Sequence, residues 1–500
     1  MKKLFTAIIA ATATLAMNAE GYQVNTFSAK QEGMGHVGVA LKLGSESNIF
    51  NPAAVAFMNK TVMVSGGVSA IKATAKAEIN GKTTKTSNKV STPMNLSAAF
   101  RIYDNLYAGV SFYTPYGSSI KWGKAWEGAI LNQSVDLKVY TVQPTVSWRI
   151  LPNFSIGAGL MISWGNVNLN KALVTSSSLN SVLDLQYAAA KLKYDIAMAQ
   201  YQFGMGENPG AAPTDVPVRF GEVPPASVNL TGDSELAVGF NVGAMYEINK
   251  KITIGASFRS KMNMTVNAGN AEVEYADEVA QAILGEQLDH LNYTNFKASM
   301  PCPYILTAGI SYKPIERLTL AFDAQLNGWS TYKYLDFEFV GLPAFNQHLE
   351  KNYKNAMTYH IGGEFAMTER LDLRAGLMID CNPCDFDNYN PETPGTTKLE
   401  PSVGFSFRPI KGLSVDVAFM YVNGRKVNNA TSRYDNFLAG TYNTGVDAYN
   451  AGVAQFNQLL GSVGQTYQGA TFNKMDKEAT VNGNYKVTAI IPAIGISYSF

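Results

Sequence analysis

Cysteine is scarce: three residues in 500 permit one pair at most, which excludes a disulfide-built scaffold. Cys381 and Cys384 form a C-x-x-C in "DCNPCDF", but the βαβ context of a thioredoxin-type site is missing. Whether the two are bonded stays open. After the first twenty residues no long apolar run exists, and mean hydropathy is −0.06, which excludes a bundle of membrane helices. Charged residues make up only 16%, with a net charge of +1; a nucleic-acid partner would need a concentrated basic face. The four histidines, His36, His290, His348 and His360, are scattered. With no G-x-S-x-G elbow, nothing assembles a nucleophile and base. No metal-ligand cluster is visible, so no cofactor is expected.

What the chain does have is glycine (43), tyrosine (26) and phenylalanine (25), set in long alternating segments. Residues 236–246 put Leu236, Val238, Phe240, Val242 and Tyr246 on one face and Gly239, Asn241 and Gly243 on the other. Residues 252–262 set Ile252, Ile254 and Phe258 against Thr253, Ser257, Arg259 and Lys261. Residues 318–327, 371–380 and 413–421 repeat the pattern. Successive strand side chains point to opposite faces, so each segment has one apolar and one polar or small face.

A soluble sandwich alternates in the same way. These segments, however, run to about ten residues or more, the length of a tilted bilayer crossing. Tight connections such as "LPN" (151–153) and "NKK" (249–251) also alternate with long ones, near 73–91, 115–133, 169–230, 267–296, 333–353, 382–395 and 425–483. Short turns on one side and long loops on the other mark a transmembrane barrel. Fourteen strands are expected, beginning near 61, 92, 105, 134, 153, 231, 251, 297, 317, 354, 370, 396, 412 and 484. The fold class is therefore all-β: a transmembrane antiparallel β-barrel.

The two ends agree. "MKKLFTAIIAATATLAMNAEGY" has two lysines, an apolar stretch and small residues around Ala19, a secretory signal peptide expected over 1–19. "AIIPAIGISYSF" (489–500) carries Ile494, Ile496 and Tyr498 on one face and ends on Phe500. It resembles the signal that barrel-assembly machinery reads in bacterial outer-membrane proteins. The last strand must close on residues 61–72, since an open edge does not survive in lipid. The expected location is the bacterial outer membrane, as a monomer surrounded by its lipid.

Residues 20–60 precede the first strand without barrel-strand length of their own. The start Gly21-Tyr22-Gln23-Val24-Asn25, the Ser28…Gly33-x-Gly35 stretch and Asn51-Pro52-Ala53 resemble the N-terminal hatch of the FadL/TodX family of outer-membrane channels for hydrophobic compounds. "TPYGSSIKWGKAWEG" (114–128) resembles the loop after the third strand in many members. The resemblance implies a hatch over 20–60 plugging the lumen of a barrel over 61–500, with long extracellular loops at 169–230, 267–296 and 425–483.

It also implies a function: uptake of hydrophobic compounds, long-chain fatty acids by default, through capture in a loop groove, lumenal binding, hatch rearrangement and lateral exit. Tyr22, Val24 and Phe27 become expected pocket contacts. Two stripes near helical spacing fall in the groove-forming loops: Leu183 and Tyr187 in one, Val279, Ile283, Leu284 and Leu288 in the other; the alternative is that both stripes pack on each other to cap the barrel. Arg259, Lys261 and Arg374 fall on the lumen face by parity, placed to meet a carboxylate, although Asp323, Asp372 and Asp380 are equally placed to pair with lumen cations. Gly109 and Pro115 in the third strand mark the expected lateral opening, since the glycine weakens strand order and the proline removes a ladder donor; the alternative for Gly109 is that it only makes room for packing. A general porin or adhesin-type barrel is the alternative, an outer-membrane lipid enzyme a more distant one. A porin needs no plug bearing N-P-A.

Overall fold

The computed structural model describes residues 22–58, 60–214 and 218–500; the expected signal peptide lies outside the described residues. Extended segments with antiparallel neighbours form a single sheet. Set aside the short strand Lys82–Lys85, join seven segments to their continuations across local breaks, and fourteen wall strands remain among the described residues.

In chain order they are β1 (Val62–Ser69, then Lys72–Ile79), β2 (Met94–Tyr103), β3 (Leu106–Lys121), β4 (Ser134–Leu151) and β5 (Phe154–Val174). Next come β6 (Ala226–Asp233, then Ala237–Glu247), β7 (Ile252–Arg259, then Met262–Tyr275) and β8 (Asn295–Cys302, then Ile305–Ile315). β9 (Leu318–Asn327, then Tyr334–Phe339), β10 (Gln347–Glu350, then Ala356–Ala366) and β11 (Leu371–Asp380) follow. β12 (Lys398–Phe407), β13 (Leu413–Gly424, then Val427–Asp435) and β14 (Glu478–Ser499) complete the wall. The ring closes where β1 pairs with β14, Val64 opposite Tyr498 and Val68 opposite Ile494. Phe500 continues that seam, its N–H donating to the Val62 carbonyl.

The alternation places its apolar face outward. Leu160, Val238, Phe240, Ile254, Phe322, Ile361, Val403 and Ile494 are exposed, a band suited to lipid in a wall whose backbone polar groups are satisfied between strands. No helix among the described residues is long and apolar enough to cross a membrane. Several strands outrun their expected starts on the long-loop side; β6 begins at Ala226, β10 at Gln347 and β14 at Glu478.

The long loops carry helices α3 (Ser176–Gln202), α4 (Glu278–Leu288) and α5 (Ala439–Gly461). Thr175 and Asp277 start the first two by accepting the N–H of Ser178 and Ala280, the standard use of short polar side chains at an N-cap. Inside the ring, residues 22–58 form the hatch, with short helices α1 (Ala29–Glu32) and α2 (Ser47–Phe50). Nearly all of it is buried.

Candidate functional site

The hatch is docked by backbone pressed against glycine. Proline at 52 holds Asn51 in an extended conformation, as the restriction on pre-proline residues requires. The Asn51 side chain then caps the next turn, its Oδ1 accepting the Ala53 N–H at 3.1 Å. Its Nδ2 donates to the Val39 carbonyl at 2.7 Å and to Ala244 of β6 at 3.0 Å. A Cβ at Gly243 would collide with Asn51, and one at Gly157 of β5 with the Pro52 and Ala53 backbone. Ser147 and Ser155 donate to the Pro52 and Ala53 carbonyls. Further round the ring on β9, the Asp323 carboxylate accepts the N–H groups of Gly38 and Val39 at 2.7 and 3.0 Å. The hatch is thus stitched to β4, β5, β6 and β9 of the wall.

Above it lies an apolar chamber of about 90 Å³. Its lining includes Val135, Val139, Leu169, Met264, Val266 and Phe296, all pointing into a lumen that is polar at other levels. Tyr22, the first described residue, forms part of this lining. It is buried, its ring edge-on to Trp329 and Tyr332, and its hydroxyl donates to the Pro301 carbonyl. The one carboxylate in the lining is Glu392.

A polar pocket of about 50 Å³ sits within the hatch, lined by Gln23, Asn25, Phe27, His36, Arg259 and Asp323 among others. Arg259 projects from β7 between the rings of Phe27 and Tyr113, at 5.7 and 5.8 Å from their centroids. Its Nη2 donates to the Ile49 carbonyl at 2.8 Å, while its buried Nε finds no hydrogen-bond partner among the described residues. Phe27 and Arg259 therefore share one pocket.

Two expected lumen cations do not join them. β7 breaks between Arg259 and Met262, and the parity inverts: Ser257 points inward before the break, Met262, Met264 and Val266 after it. Lys261 is consequently exposed and leaves the lumen face. Arg374 does face the lumen, but its guanidinium is taken by Glu364 at 2.7 Å and Asp416 at 3.3 Å. Neither Lys261 nor Arg374 lines the polar pocket. Asp372 and Asp380 are engaged by Arg408 and Lys398.

Beside the chamber the wall is incomplete. β3 pairs with β2 up to Asn95–Tyr113, and its pairing with β4 shifts register between Tyr113 and Tyr116, around Pro115. Beyond that bulge β2 is missing, and the hatch takes its place: Val24 donates to the Pro115 carbonyl and Gly117 to that of Tyr22. A cavity of about 480 Å³ runs here from lumen residues Met378, Glu400 and Ile491 to residues 91–94 and 114–120 of the wall, with Val24 on its border. Gly109 lies lower, where a Cβ would collide with the Asn48 side chain; it makes room for the hatch rather than bending the strand.

The loop residues divide. Leu183, Leu284 and Leu288 are buried, in a cluster with Val174, Phe220 and Leu438 that Ile283 packs against. They therefore fill one buried cluster shared by α3, α4 and the strand ends Val174 and Ala226 instead of lining an open groove. Val279 is exposed and Tyr187 half-buried. The sequence reading missed α5, which covers the remainder of α3 through Tyr442, Val446, Tyr449 and Phe456. Its signal was the apolar spacing inside 425–483.

A family model described as outer membrane protein transport protein (OMPP1/FadL/TodX) matches residues 9–500. Outer membrane protein P1 of Haemophilus influenzae is 21% identical over 457 residues, spanning 86% of this chain and 92% of the relative. The long-chain fatty acid transport protein of Escherichia coli O6:H1 is 20% identical, spanning 85% and 93%. Among solved structures, a Pseudomonas aeruginosa FadL homologue superposes with a TM-score of 0.70 at 17% identity, covering 96% of this chain and all of that one. The Pseudomonas putida toluene transporter TodX gives 0.60 at 14% identity, covering 97% and 99%.

Proposed function

The chain belongs to the FadL/TodX family of outer-membrane transport proteins, channels and not enzymes, and from that premise we propose that it carries hydrophobic small molecules inward across the outer membrane. The observation that carries this reading is the apolar chamber, a ring of aliphatic and aromatic side chains set in a polar lumen and closed by the hatch residue Tyr22. An aqueous porin has no use for such a surface, since burying apolar area is what holds an apolar solute.

The route follows from the cavities. A ligand leaves the chamber past Tyr22–Val24 and enters the cavity at the β3 bulge, which reaches the wall where β2 is absent. Rearrangement of the hatch is needed because Tyr22 and Val24 supply the backbone that pairs with β3 there. A long-chain fatty acid would place its carboxylate at Arg259, whose unpartnered Nε–H is a ready donor, with only part of its tail against the chamber lining, since a chamber of about 90 Å³ is too small for the whole chain. The relatives' names, a fatty acid transporter and a toluene transporter, bracket the substrate class.

The test fills the chamber. Ala298→Trp, at a lining position, should abolish uptake of an apolar tracer while the amount of assembled barrel stays unchanged. Normal uptake by that variant would remove the chamber from the route. Identification of the lipid or detergent that co-purifies with the wild-type barrel would name the ligand class directly.

A further inference from the structure

The extracellular loop between β11 and β12 does not stay outside the barrel. Its residues Pro391–Thr393 cross to the far wall, where the Trp122 Nε1–H donates to the Pro391 carbonyl at 3.0 Å and the Ser118 hydroxyl to that of Glu392 at 3.3 Å. Thr393 is hydrogen-bonded to Tyr353 at 3.1 Å, and Tyr389, just before, donates to Thr431 of β13 and lies against the Tyr485 ring. Glu392 and Thr393 line the apolar chamber from above. The segment is tied to β3, β10, β13 and β14, so it forms a roof between the loops and the chamber.

One tie is ionic. The Glu392 carboxylate is 3.4 Å from the Lys351 Nζ, and both side chains are buried, at 8% and 2% exposure. Lys171, also buried nearby, feels the Glu392 charge but gives its hydrogen bond to Gln347 at 2.8 Å. A buried carboxylate beside apolar surface is held there only by its partner, and removing one member of such a pair costs far more than replacing both by apolar groups.

We propose that Pro391–Thr393 is the roof through which a ligand enters the chamber, and that Lys351 is a positioning residue holding it shut through Glu392. This rests on the chamber being the ligand site. Without Lys351 the carboxylate does best in water, and it takes the roof with it.

The test is stopped-flow exchange of N-phenylnaphthylamine, a neutral apolar fluorophore, in the purified barrel. Lys351→Met should speed binding and release together, each roughly tenfold, at similar affinity. The double change Lys351→Met with Glu392→Leu should return both to wild-type rates, because an apolar pair seals the roof again. A merely structural role would lower the yield of barrel and leave these rates alone. Wild-type exchange in Lys351→Met, or a double variant as fast as the single one, overturns the proposal. Should Lys351→Met fail to assemble, Trp122→Phe removes the bond to Pro391 while keeping an aromatic ring beside Trp126 and should also speed exchange; unchanged rates there overturn it equally. A wild-type barrel that binds the probe no better than Ala298→Trp would refute the chamber itself.

Discussion

Asn51 and Gly243 meet face to face: the amide oxygen of the hatch residue occupies the space that a side chain on the wall residue would fill. Asn51→Ala forfeits three hydrogen bonds and strands the buried Val39 carbonyl and Ala53 N–H, at about 1–3 kcal/mol for each orphaned group. The hatch should loosen without loss of the barrel, seen as faster hydrogen exchange across 22–58 and altered tracer uptake at unchanged barrel abundance. Uptake that simply follows abundance would reduce the motif to a structural turn.

Arg259→Ala separates ligand classes. A charge-assisted hydrogen bond to a carboxylate contributes about 1.5–3 kcal/mol, and a neutral hydrocarbon never makes it. Uptake of a fatty acid should drop by about tenfold or more relative to a neutral hydrocarbon of similar length. Equal losses would remove Arg259 from the ligand site and leave only its support of the Ile49 carbonyl.

Docking of the hatch should depend on pH through two of its own side chains. Burial raises the Glu32 carboxyl from 4.5 to about 8, against the Ser69 hydrogen bond and with help from Glu400. Burial, aided by His360, lowers His36 from 6.5 to about 3. An undocked hatch ionises Glu32 from pH 4.5 upward while the docked one holds its proton to about 8, so docking weakens across that rise. It gains a proton on His36 below 6.5 that the docked form refuses until about 3, so docking also weakens as pH falls through that range. Between 4.5 and 6.5 the two slopes cancel. Hydrogen-exchange protection of the hatch, corrected for intrinsic rates, should be level there and decline on both sides. Glu32→Gln should abolish the alkaline decline and, with nothing left to cancel the His36 slope, start the acid decline at about 6.5 instead of 4.5.

Deleting Phe500 removes its pairing with Thr61 and Val62 and its edge contact with Tyr498 from the closing seam. The amount of barrel recovered in the outer membrane should fall. Tyr275→Ala, far from the seam on the extracellular side, should leave it unchanged.

The barrel was legible because lipid on one side and a polar lumen on the other impose a period of two, which Leu318, Leu320 and Phe322 against Thr319 and Asp323 display directly. The hatch was legible from Asn51-Pro52-Ala53. Lys261 was misplaced because parity holds only within an unbroken strand, and the break at 260–261 cannot be seen in composition. The chamber had no separate signal for the same reason: Met262, Met264 and Val266 continue the even-numbered apolar alternation of Ile254 and Phe258, and only the break at 260–261 turns them inward. The inward course of 389–393 had no local signal, since its anchors, Trp122 and Lys351, are brought to it only by closure of the ring.

The glycines beneath the hatch carry a consequence for how this wall can vary. Gly243, Gly255, Gly362 and Gly376 belong to four different strands, and at each an added methyl group would strike plug atoms, mostly main chain. Main chain has no rotamer with which to yield, so the plug's own sequence offers little compensation at these points. Substitution there should be refused in a belt around the barrel, while the lipid-facing positions one residue away accept exchange among apolar side chains. The imprint of the plug is thus written in the wall as missing carbon, and a mutational scan of the strands alone would recover its outline.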